Sequence, residues 1–330
     1  MSLISVAECQ KRLRHGLVPA VPVTLSASGQ IDATAQSRYV AYMADQPIAG
    51  VAVWAHTGRG LLLSHEQRIQ VLRAWRDGLG SAKTLIAGVG GTPRHAGDAR
   101  TFVDSALRMA ASALDNGAQA LLIYPPTPFR ESAECDELTL DYHQQLASLS
   151  APLILFYLYE AAGGISYSPG LLRNLLALPE VVGIKLATLD SVMTFQDVAA
   201  AIRQDFPQKL LITGEDRFLG YSLMCGAQAA LIGMGAVCTG LQRELMDAHF
   251  QGRAAEFLAL SRLVDELAEV LFVSPMEGYI RRVLWAMVNE GIIERESSYD
   301  PWGPELCEGE FAEIGDVLHR VSQFESPRRK

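Results

Sequence analysis

Eight short apolar runs, separated by stretches with helical periodicity, constrain this 330-residue chain more than any other feature. They occupy residues 16–25, 50–55, 85–89, 120–124, 152–157, 181–185, 210–213 and 229–233. Strands that are apolar along their whole length are buried on both faces, as in a parallel sheet covered by crossover helices. Between them, Phe102, Ala106, Met109, Ala110, Ala113 and Leu114 share one face at 3.6-residue spacing before Asn116-Gly117 ends that helix. Ser64-His65-Glu66-Gln67 reads as a capping box opening the second of these helices. Eight alternations, with no G-x-G-x-x-G after the first strand, predict an α/β fold closed into a (β/α)8 TIM barrel rather than an open doubly wound sheet.

The alternation stops after the eighth run. Residues from about 240 read only as helix, over 254–273, 276–289 and 308–322, and 326–330 read as a frayed end. The expected organisation is a catalytic barrel over 14–240 and a C-terminal helical domain over 241–325, packed on the barrel or on a neighbouring subunit. With 28 Lys+Arg against 37 Asp+Glu the net charge is −9, and no basic block exceeds Arg328-Arg329-Lys330. That balance argues against nucleic acid or an anionic membrane as partner and for a small molecule. The five cysteines form no C-x-x-C and sit at no metal-ligand spacing with histidine, so neither a disulfide framework nor a zinc site is expected, and no other cofactor. No leader pattern opens the chain and no apolar run nears the ~18 residues of a membrane span, which reads as cytoplasmic.

In a barrel of this kind reactive groups stand at the C-terminal ends of strands. One lysine fits that rule. Of the 28 basic residues only five are lysines, at 11, 83, 185, 209 and 330. Lys11 and Lys330 are near the termini, and Lys83 and Lys209 precede strands at the opposite end. Lys185 follows Val181-Val182-Gly183-Ile184, where desolvation would lower an amine from about 10.4 towards ~7–8 and make it a nucleophile for carbonyl carbon. The alternative is a structural lysine reaching solvent or paired with Asp190. A Schiff-base lysine needs a proton shuttle, and Tyr157 and Tyr159 share one face of the fifth strand; ordinary core packing is the alternative for each. The carboxylate of a 2-keto acid would suit His56-Thr57-Gly58, a hydroxyl plus approachable amides, unless this is a plain loop. Glu215 and Asp216 would act on substrate hydroxyls or simply favour a helix N-terminus, and Gly233 opens the turn after the eighth strand.

With these residues in place, the chain resembles the dihydrodipicolinate synthase / N-acetylneuraminate lyase family of Schiff-base lyases. The likeness runs over roughly residues 14–290 and includes Gly183-Ile184-Lys185, Ile86-Ala87-Gly88-Val89-Gly90, Ser168-Pro169 and Leu178-Pro179-Glu180-Val181. It implies that Lys185 forms a Schiff base with pyruvate or another 2-keto acid, that Tyr157 relays protons, and that His56-Thr57 binds the keto-acid carboxylate. It also implies a homotetramer or homodimer. One residue of register separates Tyr157 from Phe156 as the relay, and Tyr157 is taken because phenylalanine cannot carry a proton.

The departures point away from lysine biosynthesis. The family's G-T-T-G-E reads Ala55-His56-Thr57-Gly58-Arg59, so a histidine replaces a threonine of the synthase relay. The second relay tyrosine falls near Thr127, and Y-N-x-P-x-R becomes Tyr157-Leu158-Tyr159-Glu160-Ala161-Ala162, without the arginine that grips the second substrate's carboxylate. A neutral, hydroxylated second substrate is expected, unless Arg59 turns inward to replace that cation. Two rivals remain: a family member that binds a keto acid without turnover, as sensor or scaffold, and a metal-dependent barrel, for which His56 and Asp216 alone are too few ligands.

Overall fold

A computed structural model of the chain describes residues 3–93, 97–189 and 191–323. Asp190 and the basic end, 326–330, lie outside the described residues. Eight parallel strands follow one another as β1 Leu17–Pro19, β2 Gly50–Val53, β3 Thr84–Val89, β4 Ala120–Ile123, β5 Leu153–Leu158, β6 Val181–Ala187, β7 Leu210–Thr213 and β8 Ala229–Ile232. Each pairs with its sequence neighbour, and β8 pairs with β1. A parallel bridge between Ala20 and Ala52 joins β1 to β2, so the sheet closes into the expected barrel. β1 is much shorter than its apolar run because Pro19 and Pro22 have no N–H to donate to a neighbour.

Side chains alternate between two cores. Ile86, Leu122, Ile154, Ile212 and Leu231 fill the lumen, while Leu85, Leu121, Leu155, Leu211 and Ile232 face the surrounding helices. The helix Ala99–Asp115 buries Phe102, Ala106, Met109, Ala110 and Ala113, and Gly117 follows it with φ of +105°. Ser64 and Gln67 exchange the two bonds of a capping box at the start of His65–Gly78. A short N-terminal helix, Val6–Leu13, plugs the lower mouth with the buried Cys9 and Leu13. Its Gln10 Nε2 donates to Val182 O and Gln208 O, each at 2.9 Å, which ties the plug to the lower ends of β6 and β7.

After β8 come the helices Thr239–Phe250, Ala254–Leu271, Tyr279–Asn289 and Glu308–Ser322. The helix expected over 276–289 begins only at Tyr279, because Met276–Gly278 form a 3₁₀ turn lying at the barrel's upper mouth. Trp285 and Phe311 pack edge to face at 5.9 Å between the last two helices. No helix among the described residues is long and apolar enough to cross a membrane.

Candidate active site

The orientation of Lys185 depends on an irregularity in its own strand. The register between β5 and β6 shifts after Leu153, where Val181 pairs with Leu153 but Gly183 pairs with Ile154, leaving Val182 as the extra residue of a bulge. Val182 faces the lumen, and strict alternation from it would send Ile184 and Leu186 inward. Instead both face the helices, and Lys185 enters the lumen. The bulge therefore re-aims the strand by one residue. Gly183 permits it, because a Cβ there would collide with the backbone of Leu210.

Lys185 is 6% exposed, and its Nζ lies over the ring of Phe156, 4.3 Å from the centroid. Burial lowers its pKa to about 8, against the opposing pull of Asp216 and Glu215. A cavity of about 50 Å³ surrounds it, lined among others by His56, Thr57, Tyr159, Glu215, Asp216, Gly233 and Tyr279. Gly214 keeps the amine free, since a Cβ there would lie 2.5 Å from Lys185 Cε. Gly233 does the same across the cavity, where a Cβ would press on Thr57 Oγ1 at 3.1 Å and on the Tyr279 ring at 3.2 Å.

The C-terminal segment completes the wall. The Tyr279 hydroxyl shares hydrogen bonds with Thr57 Oγ1 at 3.0 Å and His56 Nδ1 at 3.2 Å, while its ring stacks on Phe272 at 4.8 Å. Two arginines fix this segment. Arg59, on the loop after β2, donates to Glu277 Oε2 at 2.7 Å and to both carboxylate oxygens of Asp300. Arg282, fully buried, donates to Val273 O, Pro275 O and Glu310. Bidentate guanidinium–carboxylate pairs give direction as well as attraction.

The remaining charges are tuned by burial. Asp216 accepts from Met234 N at 2.6 Å, yet desolvation raises its pKa, so it stands beside Lys185 as a carboxyl group easily protonated. Desolvation also raises Glu215, to about 7, although Thr188 N, Thr188 Oγ1 and Leu189 N all donate to it. Burial lowers His56 and outweighs the pull of Glu277, which leaves a neutral imidazole near pH 7.

Seven of the nine residues that sequence reasoning selected line this one cavity: Lys185, His56, Thr57, Tyr159, Glu215, Asp216 and Gly233. Gly58 stands behind them, its N–H donating to Ala55 O at 2.8 Å. Glu215 lines the wall, but its oxygens hold the loop after β6 and are not free for a ligand's hydroxyls. Tyr157 is a correction. β5 alternates without a break, so Phe156, paired with Lys185, faces the lumen, and Tyr157 faces the helices. Its ring packs edge to face on Tyr167 at 5.3 Å. Arg59 borders the adjoining cavity, where Glu277 and Asp300 already hold its guanidinium. Sequence reasoning missed Phe156 as a lumen residue and missed Tyr279 altogether. The strand-end rule has nothing to say about a residue beyond the barrel.

A larger cavity of about 380 Å³ adjoins this one and shares His56 and Leu158 with it. Its other walls include Leu61, Leu62, Phe102, Tyr124 and Pro125.

The model of the dihydrodipicolinate synthetase family matches residues 13–314. The chain is 27% identical over 261 residues to a 4-hydroxy-tetrahydrodipicolinate synthase of Synechococcus sp. (strain CC9605), covering 78% of this chain and 80% of that protein. It is 22% identical over 289 residues to N-acetylneuraminate lyase 2 of Escherichia coli O6:H1 (strain CFT073), covering 88% of each. In fold it is similar to YagE, a prophage protein of the dihydrodipicolinic acid synthase family from E. coli K12, solved in complex with pyruvate. The TM-score is 0.79 at 19% identity, over 93% of this chain and 98% of that one.

Proposed function

Because the chain belongs to the dihydrodipicolinate synthetase family, we propose that it is a Schiff-base lyase that joins Lys185 to pyruvate or a related 2-keto acid. An aldol cleavage or condensation, or a dehydration, then breaks or makes a carbon–carbon bond or breaks a carbon–oxygen bond near the imine. One observation carries this reading: a lysine aimed into an enclosed lumen, with its pKa lowered to about 8 by burial. An amine in that state is neutral often enough to attack a ketone near neutral pH. The Thr57 hydroxyl, at the opposite wall, suits the keto-acid carboxylate.

The second substrate is a neutral, hydroxylated aldehyde or sugar-acid chain and not aspartate semialdehyde. No arginine follows β5 in Tyr159-Glu160-Ala161-Ala162, and Arg59 is tied to two carboxylates. A buried carboxylate left unpaired would cost several kcal/mol. Tyr159 and Asp216 are the groups placed to meet hydroxyls. The working form is a homodimer or homotetramer, as the resemblance implies.

The test is to incubate the protein with a panel of 2-keto acids, reduce with borohydride, and map the labelled lysine by mass spectrometry. Pyruvate should label Lys185, and Lys185→Arg should abolish the label, since guanidinium forms no imine. Label confined to Lys83 or Lys209 overturns the assignment. Efficient condensation of pyruvate with aspartate semialdehyde overturns the substrate reading. Phe156 at the expected relay position gives one rival a footing: a label on Lys185 with no turnover of any aldehyde would mark a keto-acid-binding protein.

A further inference from the structure

Schiff-base chemistry at Lys185 needs a group that both gives and takes protons, and the tyrosine that sequence assigned to this work points away from the lumen. Phe156 holds the corresponding inward position, where its ring faces the Lys185 ammonium but carries no proton. The same cavity does contain a phenol, supplied from the opposite side. We infer that Tyr279, contributed by the C-terminal segment, is the acid–base relay for imine and enamine formation at Lys185. The inference rests on the lyase reading above and assigns a residue within it.

Three observations support it. Tyr279 and Lys185 line one cavity of about 50 Å³, so a ketone bound to the amine lies within a space the phenol also borders. The hydroxyl already has hydrogen-bond partners in Thr57 and the neutral imidazole of His56, which fix its direction, and the imidazole N–H can stabilise a transient phenolate. The ring is held by Phe272 on its face, and its chain segment by Arg59 and Arg282. A relay must be held this firmly, because proton transfer demands hydrogen-bond distance in the reacting geometry. Burial raises the phenol well above its ordinary value and so keeps it protonated until it is needed. Tyr159, the other phenol of the cavity, sits at the start of a 3₁₀ turn on the loop after β5, closer to solvent.

The steps balance without an outside base. The neutral Lys185 amine adds to the ketone carbon while Tyr279 gives its proton to the oxygen, and the new secondary ammonium returns a proton to the phenolate. In the resulting carbinolamine the C–O bond breaks as Tyr279 protonates the departing hydroxyl. The nitrogen lone pair forms the C=N⁺ bond, and water leaves. The phenolate then takes a proton from the carbon next to the iminium, giving the enamine and restoring the phenol. Ketone and amine have become enamine and water.

The experiment follows exchange of the pyruvate methyl protons with D2O by NMR, beside borohydride capture of Lys185. It compares the unaltered protein with Tyr279→Phe and Tyr159→Phe, each checked for folding by its melting curve. Tyr279→Phe keeps the ring and its stacking, so it should fold normally and still capture pyruvate on long incubation. Its exchange rate at saturating pyruvate should fall by about 10²–10⁴, the usual worth of a positioned acid or base, with half-saturation little changed. Tyr159→Phe should lose much less. Exchange by Tyr279→Phe at the unaltered rate overturns the assignment, as does a loss seen only as weaker saturation, which would make the phenol a carboxylate ligand. A large loss in Tyr159→Phe and none in Tyr279→Phe would move the role to Tyr159. Absence of captured Lys185 in the unaltered protein overturns the lyase reading itself, a result distinct from all of these.

Discussion

β5 and β6 are adjacent, parallel and buried on both faces, yet they present their side chains by different rules. β5 alternates strictly, and its lumen residues are Ile154, Phe156 and Leu158. β6 carries one extra residue at Val182, and the phase of every side chain beyond it is reversed. Without that bulge Lys185 would face the helices beside Ile184's present neighbours, and the lumen would hold no amine from this strand. The contrast teaches that the chemistry here is set less by which residues the strands contain than by where one strand slips against the next. Bulges of this kind are common beside functional sites, where they redirect a side chain.

The largest effect should come from removing the slip. Gly183→Ala places a methyl group against the backbone of Leu210, so either the bulge flattens or β6 parts from β7. Overpacking of this kind should cost about 3 kcal/mol in urea unfolding. In whatever protein folds, pyruvate and borohydride should label Lys185 barely at all. Labelling at the unaltered rate would mean that the bulge does not aim the amine.

The next effect is on pH. The folded pKa of Lys185 is lowered, so the nucleophilic neutral form gains as pH rises through about 8 and is scarce below it. The initial labelling rate at low pyruvate should rise by about tenfold per pH unit below that point and level off above it. A rate still climbing in the same way up to pH 10 would show a solvated amine and would contradict its burial in the lumen.

The smallest effect belongs to β5. Tyr157→Phe removes a hydroxyl on the helix side and leaves the ring against Tyr167. Since it takes nothing from the reacting atoms, exchange of pyruvate protons should stay within about twofold of the unaltered protein. A loss of a hundredfold would place Tyr157 in the lumen and β5 one residue out of its present register.

Much of this fold was legible in the residues. All eight strands fall within or beside their apolar runs, and the Ser64–Gln67 capping box stands where its sequence puts it. The same logic located Lys185, Thr57 and Gly233, because strand ends in a barrel converge on one mouth. It failed at Tyr157 because a uniformly apolar strand such as Leu153–Leu158 carries no polar residue to mark which face is which. A chemical preference for tyrosine over phenylalanine then decided a question that only pairing could settle. It failed at Tyr279 for another reason. Met276-Glu277-Gly278-Tyr279 reads as the first turn of an amphipathic helix, and its place at the mouth is fixed by Arg59, 218 residues earlier than Glu277.

That separation has a consequence for how the molecule is made. At ~5–20 residues per second a ribosome needs roughly 11–44 s to pass from Arg59 to Glu277, and the six strands β3 to β8 are made in the interval. Throughout it neither of the carboxylates that hold the guanidinium in the folded protein, Glu277 and Asp300, has been made. Stranding it dry would cost about 3–5 kcal/mol. The mouth of the nascent barrel therefore lacks this wall until the last sixth of the chain arrives, and a message truncated after β8 would yield a barrel without Tyr279.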